Sequence, residues 1–459
     1  MDLRTPGVTH APGSESVLPL LRLRGQGALA LGITVNTYCH ISPLWSSGRQ
    51  EDRISWNLFG MAQSVRIKRR MLPIVQLVHR PGILDLGWGH PDPTALPVAA
   101  IRRATDATLM RYGADALAYG AERGPGPLIE WICARLAHID ARPPDPAEVL
   151  ITSGASQALD LLCTLITTPG DTVLVESPTY HLAVRILRDH PLHLVAVPSD
   201  ADGIDVEALT IILRQLAKRG RKARMLYCVP TYHNPTGVCL SMERRRALAM
   251  IAAEHGFVLV EDDVYRELSY DAPAPPSVWS IAPPGAVVRI ASFSKSLAPG
   301  LRLGYLTADA SLTRQLIGSG LLDSGGGVNP FTALTVAEVC ATGDFEATVT
   351  QLCAMYRERR DALAQSLCTY LPPGCRFTVP GGGFFQWVEL PEGVDAATLL
   401  PHAEQAGVSY LPGSRFYLNG ARSNTLRLSF SLYPPHQLAE AARRLGEAVA
   451  VGLDAAPLR

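Results

Sequence analysis

The chain lacks several features that would narrow its role at once. It has no excess of charge, since 42 Lys and Arg balance 42 Asp and Glu for a formal net charge of zero. It has no basic arm or acidic tail, so nothing at this level points to nucleic acid as a partner. No apolar run approaches the ~18 residues needed to cross a bilayer. The nearest stretch, VLPLLRLRGQGALALGITV, is interrupted by arginines. The second residue is acidic and no basic-then-apolar leader follows, which gives the expectation of a soluble, cytoplasmic protein with no membrane partner. The nine cysteines are odd in number and form no CxxC pair. They read as small buried side chains in a reducing compartment, not as a disulfide frame or a zinc site. No Walker-type or dinucleotide glycine fingerprint is present. His190 and His193, in the Pro-containing DHPLHL, have no carboxylate companion in the sequence, and no metal is expected.

What is present is an ordinary globular composition, 47% hydrophobic and 18% charged over 459 residues. That is long enough for two domains, or for one large domain with an appendage. Residues 1–53 are poorly organised. THAPGSES and SPLWSSGRQED are loop-like, and the apolar segment between them has no clear period. From Ile54 the chain becomes orderly. WNLFGMAQSVRIKRRMLPIVQLV reads as a helix, and RPGILDLGWGHPDP as a turn, a short strand and a Gly/Pro loop. Strand-like runs then alternate with helical ones. AEVLIT precedes SQALDLLCTLIT, DTVLVE precedes YHLAVRILRDH, and RMLYCVP precedes SMERRRALAMIAAEHG; FVLVEDD and VVRIASFS follow. Such alternation predicts βαβ units and an α/β fold with a mostly parallel sheet, whose chemistry sits at the carboxyl ends of the strands. Beyond about residue 345 the pattern changes to a long amphipathic helix followed by RFTVPGGGFFQWVEL and TLRLSFS, which reads as a smaller α+β domain. The expected organisation is an extension over 1–53, an arm and part of the small domain over 54–100, a large domain over 101–345 and the C-terminal small domain over 346–459.

The informative polar residues fall at the predicted strand ends. In TSGASQALDLL a strand closes on a Ser-Gly turn and a helix opens near Ser156, so its free amides and dipole offer an anion site. Asp262 ends the apolar strand FVLVE, where a buried carboxylate is costly unless it meets a cation. Asp263 points the other way by strand alternation, and Tyr265 brings a hydroxyl to the Asp262 side. NPTG in TYHNPTGVCL is turn chemistry, but its place after RMLYCV makes Asn234 a candidate donor to a ligand oxygen. Lys295 follows the apolar run VVRIA, which argues against free exposure. A lysine is a nucleophile only where burial or a neighbouring cation lowers its pKa from ~10.4, and Arg302, seven residues on, suits both that role and a phosphate. Arg427, between Leu426 and Leu428 in an alternating strand, shares a face with Thr425 and Ser429 and is placed to clamp a carboxylate.

Together these ordered motifs resemble the fold-type I pyridoxal-phosphate enzymes, and within them the class I/II aminotransferases of the kynurenine/2-aminoadipate branch, from about residue 54 to the end. The resemblance implies a large domain with a mostly parallel sheet, a small domain, and pyridoxal 5'-phosphate as cofactor. It implies that Lys295 binds the cofactor covalently and shuttles a proton, and that Asp262 pairs with the pyridine nitrogen. Asn234 and Tyr265 would meet the ring hydroxyl oxygen, and Tyr180 in ESPTYH would stack on the ring. Ser156, Gln157, Ser292, Ser294 and Arg302 would cradle the phosphate. Tyr119 in LAYGAERG matches a tyrosine that reaches the phosphate of a neighbouring subunit, which implies a homodimer with shared active sites. Arg427 would bind the substrate α-carboxylate, with Asn234 and the Gly89 backbone beside it. The reaction implied moves an amino group between an L-amino acid with an aromatic, apolar or 2-aminoadipate-like side chain and a 2-oxo acid.

Two departures bear on the substrate. Relatives that act on acidic side chains carry an arginine in the helix before the RPG turn; Leu72 falls on that slot, with Arg69 and Arg70 nearby. Trp88-Gly89 stands where relatives tend to have Gly-Gly, and an indole there turns the expected pocket toward aromatic or apolar substrates. Two other readings stay open. The same cofactor serves lyases, decarboxylases and cyclising enzymes, and the sequence does not show which Cα bond is aimed across the ring. A regulator that senses the cofactor through an aminotransferase-like domain would need a winged helix, for which residues 1–53 are too short and unpatterned.

Overall fold

Short apolar runs bounded by turns build one eight-stranded sheet in the computed structural model, which describes residues 74–454 except 421. The expected extension over 1–53, the helix from residue 54 as far as 73, and Arg69, Arg70 and Leu72 lie outside the described residues. Residues 74–78, assigned to the end of that helix from the sequence, are not helical. Pro73 in the sequence is reason enough, because proline removes a donor and clashes with the preceding turn.

The strands are β1 (Val149–Thr152), β2 (Thr172–Ser177), β3 (His193–Asp200), β4 (Gly203–Ile204), β5 (Ala223–Cys228), β6 (Val258–Asp262), β7 (Val287–Ser292) and β8 (Gly304–Thr307). Their spatial order is β1-β8-β7-β6-β5-β2-β3-β4. The five central strands, β7 to β3, pair in parallel. β8 runs against both of its neighbours, so β1 shares the direction of the central strands. The sheet is therefore mostly parallel, as expected. The antiparallel β8 was not legible, because GYLT follows directly on a basic loop and is too short to show a period.

Both faces of the sheet are buried, which explains why the strands read as continuous apolar runs. Alternation survives inside those runs. Val173, Val175, Met225, Tyr227 and Val260 pack with Ala158, Leu159 and Leu162 of the helix Ala155–Ile166. Leu174, Leu226, Cys228 and Leu259 face the other way, onto Leu209 and Leu213 of Val206–Lys218 and Leu248 and Ala252 of Met242–His255. The second layer is a four-stranded antiparallel sheet containing Phe385–Glu389 and Thr425–Ser429. Its Val388, Leu426 and Leu428 share a core with Leu363 and Leu367 of the helix Asp344–Tyr370 and with Leu438 and Leu445 of Pro435–Asp454. No helix among the described residues is long and apolar enough to cross a membrane.

One close approach fixes the edge where the strands end. Gly304 of β8 pairs with both Thr152 and Ser292. A Cβ on Gly304 would lie 2.5 Å from the Ala291 carbonyl and 2.9 Å from Gly154 Cα, so backbone would have to move. Gly304→Ala is expected to cost about 1–3 kcal/mol as overpacking, read from denaturant titration; an unchanged midpoint would show that this approach is not needed.

Candidate active site

Because the strands run together, their carboxyl ends deliver one residue set to one edge. After β1 the chain turns at Gly154, with φ 85°, and opens the helix Ala155–Ile166. β8 runs backwards, so its beginning lies at this same edge and brings Arg302, itself at φ 47°, beside Gly154. Arg302 Nη2 lies 3.4 Å from the Ser153 carbonyl, and a Cβ on Gly154 would stand 3.1 Å from that nitrogen. Asn329 locks the pair, donating from Nδ2 to Ser153 Oγ (3.2 Å) and to the Arg302 carbonyl (3.1 Å). Ser292 Oγ donates to Ser294 Oγ at 2.9 Å and accepts from the Ser294 amide at 3.1 Å. Ser156 is exposed in the first helical turn. Gln157 braces the turn by accepting from the Ser153 amide at 3.1 Å, and its Nε2 is buried without a partner. A helix N-terminus, a guanidinium and serine hydroxyls at one strand edge make a setting that suits an anion.

Asp262 and Lys295 lie on the inner side of this edge. Asp262 continues the face of Val260 and Tyr227, and its Oδ2 accepts from the Tyr227 hydroxyl at 2.6 Å. Its Oδ1 is buried and has no partner. Burial raises its pKa to about 6, against the lowering effect of the Tyr227 bond. Lys295, in the turn after β7, donates from Nζ to the Gly89 carbonyl at 3.0 Å and stands 5.5 Å from the Phe384 ring centroid. Burial, helped by Arg427 and Arg302, lowers its pKa to about 8. That leaves a usable fraction of free amine near neutral pH, where an exposed lysine has almost none.

The third group comes from the smaller sheet. Arg427 is 3% exposed. Its Nη1 donates to Asn234 Oδ1 (2.8 Å) and its Nη2 to the Gly87 carbonyl (2.7 Å). Its guanidinium carbon is 3.9 Å from the Phe385 ring centroid and 4.9 Å from that of Phe416. Burial pushes its pKa down to about 10, still fully cationic at neutral pH. Its Nε is buried and unpartnered. Arg427 meets the backbone at the Gly87 carbonyl, and the Gly89 carbonyl two residues on accepts from Lys295 Nζ. Tyr265 is buried edge-on against Phe384 and Phe385, and burial raises its pKa. Tyr180, half-buried at the start of His181–Asp189, is likewise raised by burial, with the Asp262 charge adding to it. Trp88 lies 5.0 Å from His90, ring to ring. Tyr119 stands apart from this group of contacts and is 89% exposed.

Four contributors were not singled out from the sequence: Tyr227, Asn329, Phe385 and Phe416. Tyr227 was findable, since a tyrosine inside RMLYCV needs a partner for its hydroxyl. Phe385 and Phe416 carry no signal until Arg427 is seen between them. His190 also has a companion made only in space, Asp160 at 2.9 Å.

A flat, protonatable ring bearing a phosphate fits what these groups leave open. Asp262 Oδ1 lacks a donor, the Gly154 turn and Arg302 form an anion cradle, and Lys295 offers an amine between them. The raised pKa of Asp262 has a measurable consequence in the ligand-free protein. The folded state holds this proton more tightly than the unfolded chain, so the residue destabilises above about pH 6 and the cost fades as pH falls toward 4. Asp262→Asn is expected to stabilise the ligand-free protein at pH 8 by about 2–3 kcal/mol. The gain should shrink on acidification, and a pH-independent effect in chemical denaturation would contradict it.

Known proteins are similar to this chain over most of its length. The family model for aminotransferase class I and II matches residues 82–445. Aromatic-amino-acid aminotransferase 1 of Thermococcus litoralis is 33% identical over 381 residues, covering 82% of this chain and 90% of its own. The solved kynurenine aminotransferase of Pyrococcus horikoshii, in complex with PMP, is 33% identical with a TM-score of 0.76, covering 81% of this chain and 92% of its own. LysN, the α-aminoadipate aminotransferase of Thermus thermophilus, solved with N-(5'-phosphopyridoxyl)-L-leucine, is 33% identical with a TM-score of 0.73, covering 82% and 94%. A match that runs through both sheets and every strand end described above leaves one conclusion: the chain belongs to the class I and II aminotransferases, pyridoxal-phosphate-dependent enzymes of the fold-type I architecture.

Proposed function

We propose that this aminotransferase takes its amino group from an L-amino acid with an aromatic or apolar side chain and passes it to a 2-oxo acid, with Lys295 as the catalytic residue. The observation that carries the reading is the pairing, at one strand edge, of a lysine amine whose pKa is lowered to about 8 with a buried carboxylate whose Oδ1 is free. Bound pyridoxal phosphate would supply the electron sink for charge released at the substrate α-carbon. The chain's own residues do the rest. Lys295 would hold the cofactor through its ε-amine and move the substrate α-proton. Asp262 keeps a proton on the ring nitrogen, and Tyr227 keeps Asp262 aimed. Asn234 and Tyr265 meet the ring hydroxyl oxygen, and Tyr180 covers the ring. Ser156, Gln157, Ser292, Ser294 and Arg302 hold the phosphate. Arg427 takes the α-carboxylate, a geometry its planar fork suits.

Side-chain preference rests on Trp88, whose indole occupies the loop that supplies the Lys295 contact at Gly89. The relatives named for aromatic amino acids and kynurenine agree with an aromatic donor. The exposed Tyr119 supports a homodimer in which it reaches the phosphate of a second copy. The same reading divides the chain into an N-terminal arm and part of the small domain over 54–100, a large domain over 101–345 and the rest of the small domain over 346–459, in a cytoplasmic enzyme.

Borohydride reduction of the holoenzyme is expected to fix pyridoxal on Lys295, as read by peptide mass mapping; label on another lysine would overturn the assignment. Lys295→Ala should lower turnover by roughly 10²–10⁴-fold or more while still binding cofactor without a covalent bond. Amino donors tested against pyruvate and 2-oxoglutarate should give keto acid from aromatic and apolar amino acids. Dominance of 2-aminoadipate would refute the role given to Trp88. Arg427→Lys should raise KM for the amino acid by about 10–100-fold, since a bidentate charged contact becomes a point charge.

A further inference from the structure

Behind Asp262 lies a buried charge cluster made of residues outside those assigned to cofactor and substrate. β6 ends in two carboxylates, Glu261 and Asp262, and Asp263 follows directly. Alternation turns Glu261 and Asp263 away from the face that carries Asp262. Glu261 accepts from the Val278 and Trp279 amides, each at 2.9 Å, and faces Arg245 at 3.5 Å. Asp263 stands between Arg266 and Arg289, with Arg289 Nε 2.8 Å from its Oδ2. Arg289 comes from the neighbouring strand β7, where it pairs in register with Glu261. Its Nη1 donates to Asp140 Oδ2 at 2.8 Å, and Asp140 Oδ1 accepts from the Ser277 amide at 2.7 Å. Asp263 and Arg289 are 3% and 1% exposed, so water screens little of this charge.

The position of this cluster matters because Asp263 is the negative neighbour that acts on Asp262 among the described residues. The other groups facing Asp262 are Tyr227 from β5, Tyr180 from the loop after β2, Tyr265 from its own turn and Lys295 from the turn after β7. These are neutral hydroxyls and an amine. A bare carboxylate beside Asp262 would favour its protonated form. Arg289 and Arg266 hold Asp263 ionised, against its burial, and set positive charge directly against its negative one.

We propose that Arg289, anchored by Asp140, is a positioning residue for transamination: by neutralising Asp263 it keeps the proton shared between Asp262 and the cofactor ring on the ring nitrogen and off the carboxylate. This rests on the reading of Asp262 as that nitrogen's partner. Arg289 contacts Asp263 and Asp140, not the residues assigned to substrate and cofactor, and so acts through Asp263.

The test is the ¹⁵N chemical shift of holoenzyme loaded with ring-labelled pyridoxal phosphate, recorded at pH 7.5. The wild-type nitrogen should report a protonated ring. Arg289→Met should move the signal toward the neutral-ring value. Arg289→Gln, which keeps hydrogen-bonding capacity but no charge, should do the same and serves where the Met variant does not fold. Arg289→Lys should retain the wild-type shift, and so should Asp263→Asn, which removes the charge that Arg289 cancels. A wild-type shift in Arg289→Gln overturns the proposal, as does a move toward the neutral ring in Asp263→Asn, which would mark general loosening. Asp262→Asn separates the two levels. It should give the neutral-ring signal, and if it does not, the assignment of Asp262 itself fails.

Discussion

A carboxylate at the end of a buried strand is expensive, and the site is organised around offsetting that expense. Asp262 sits where the dielectric is low, one oxygen held by Tyr227 and the other without a donor. An isolated charge in that position shifts its pKa upward, which is what burial does here. The group becomes an asset only when a cationic partner arrives at Oδ1. Lys295 stands in the complementary state, a half-buried amine pushed toward neutrality. The two therefore share one property on the proposed reading, that each would be more stable once the cofactor is bound than before. Sites that carry such strain give up stability in the empty state in return for binding and chemistry.

Strand direction decides which residues meet that pair. The parallel strands each end at the same edge, so Gly154, Tyr180, Asn234, Asp262 and Lys295 gather there from positions spread along the chain. The reversed strand β8 adds what parallel strands cannot. Because β8 runs backwards, its first residues arrive at that edge, and Arg302 meets the helix N-terminus at Gly154. Gly304 makes the approach close enough, since it pairs with β1 and β7 at once.

The smaller sheet supplies the remaining cation by a different device. Arg427 is fully buried yet stays charged, because Phe385 and Phe416 flank its guanidinium and Asn234 and Gly87 accept two of its hydrogens. Arginine tolerates this better than lysine, being planar and weakly hydrated. The free Nε is consistent with a further acceptor at the same group. Asn234 thus stands at the junction of the two sheets, belonging to the large one and bonded to an arginine of the small one.

Much of this was present in the order of residues alone. Alternating apolar runs and helices are enough for a mostly parallel α/β sheet, and polar residues just past the ends of those runs mark Ser156, Asn234, Asp262 and Lys295 as candidates, with Arg302 seven residues beyond Lys295 and Arg427 inside an alternating strand, because side-chain periodicity and burial costs are local properties. What only the tertiary structure decided is how those residues face one another. The reversal of β8, the aromatic sandwich on Arg427, the Tyr227 bond to Asp262 and the Arg289–Asp263–Asp140 cluster all join segments distant in the chain. A short strand such as GYLT shows no period, and an arginine inside an apolar strand such as VVRIAS shows no partner. Their meaning depends on which strand lies beside them, and that is set by packing across the whole sheet.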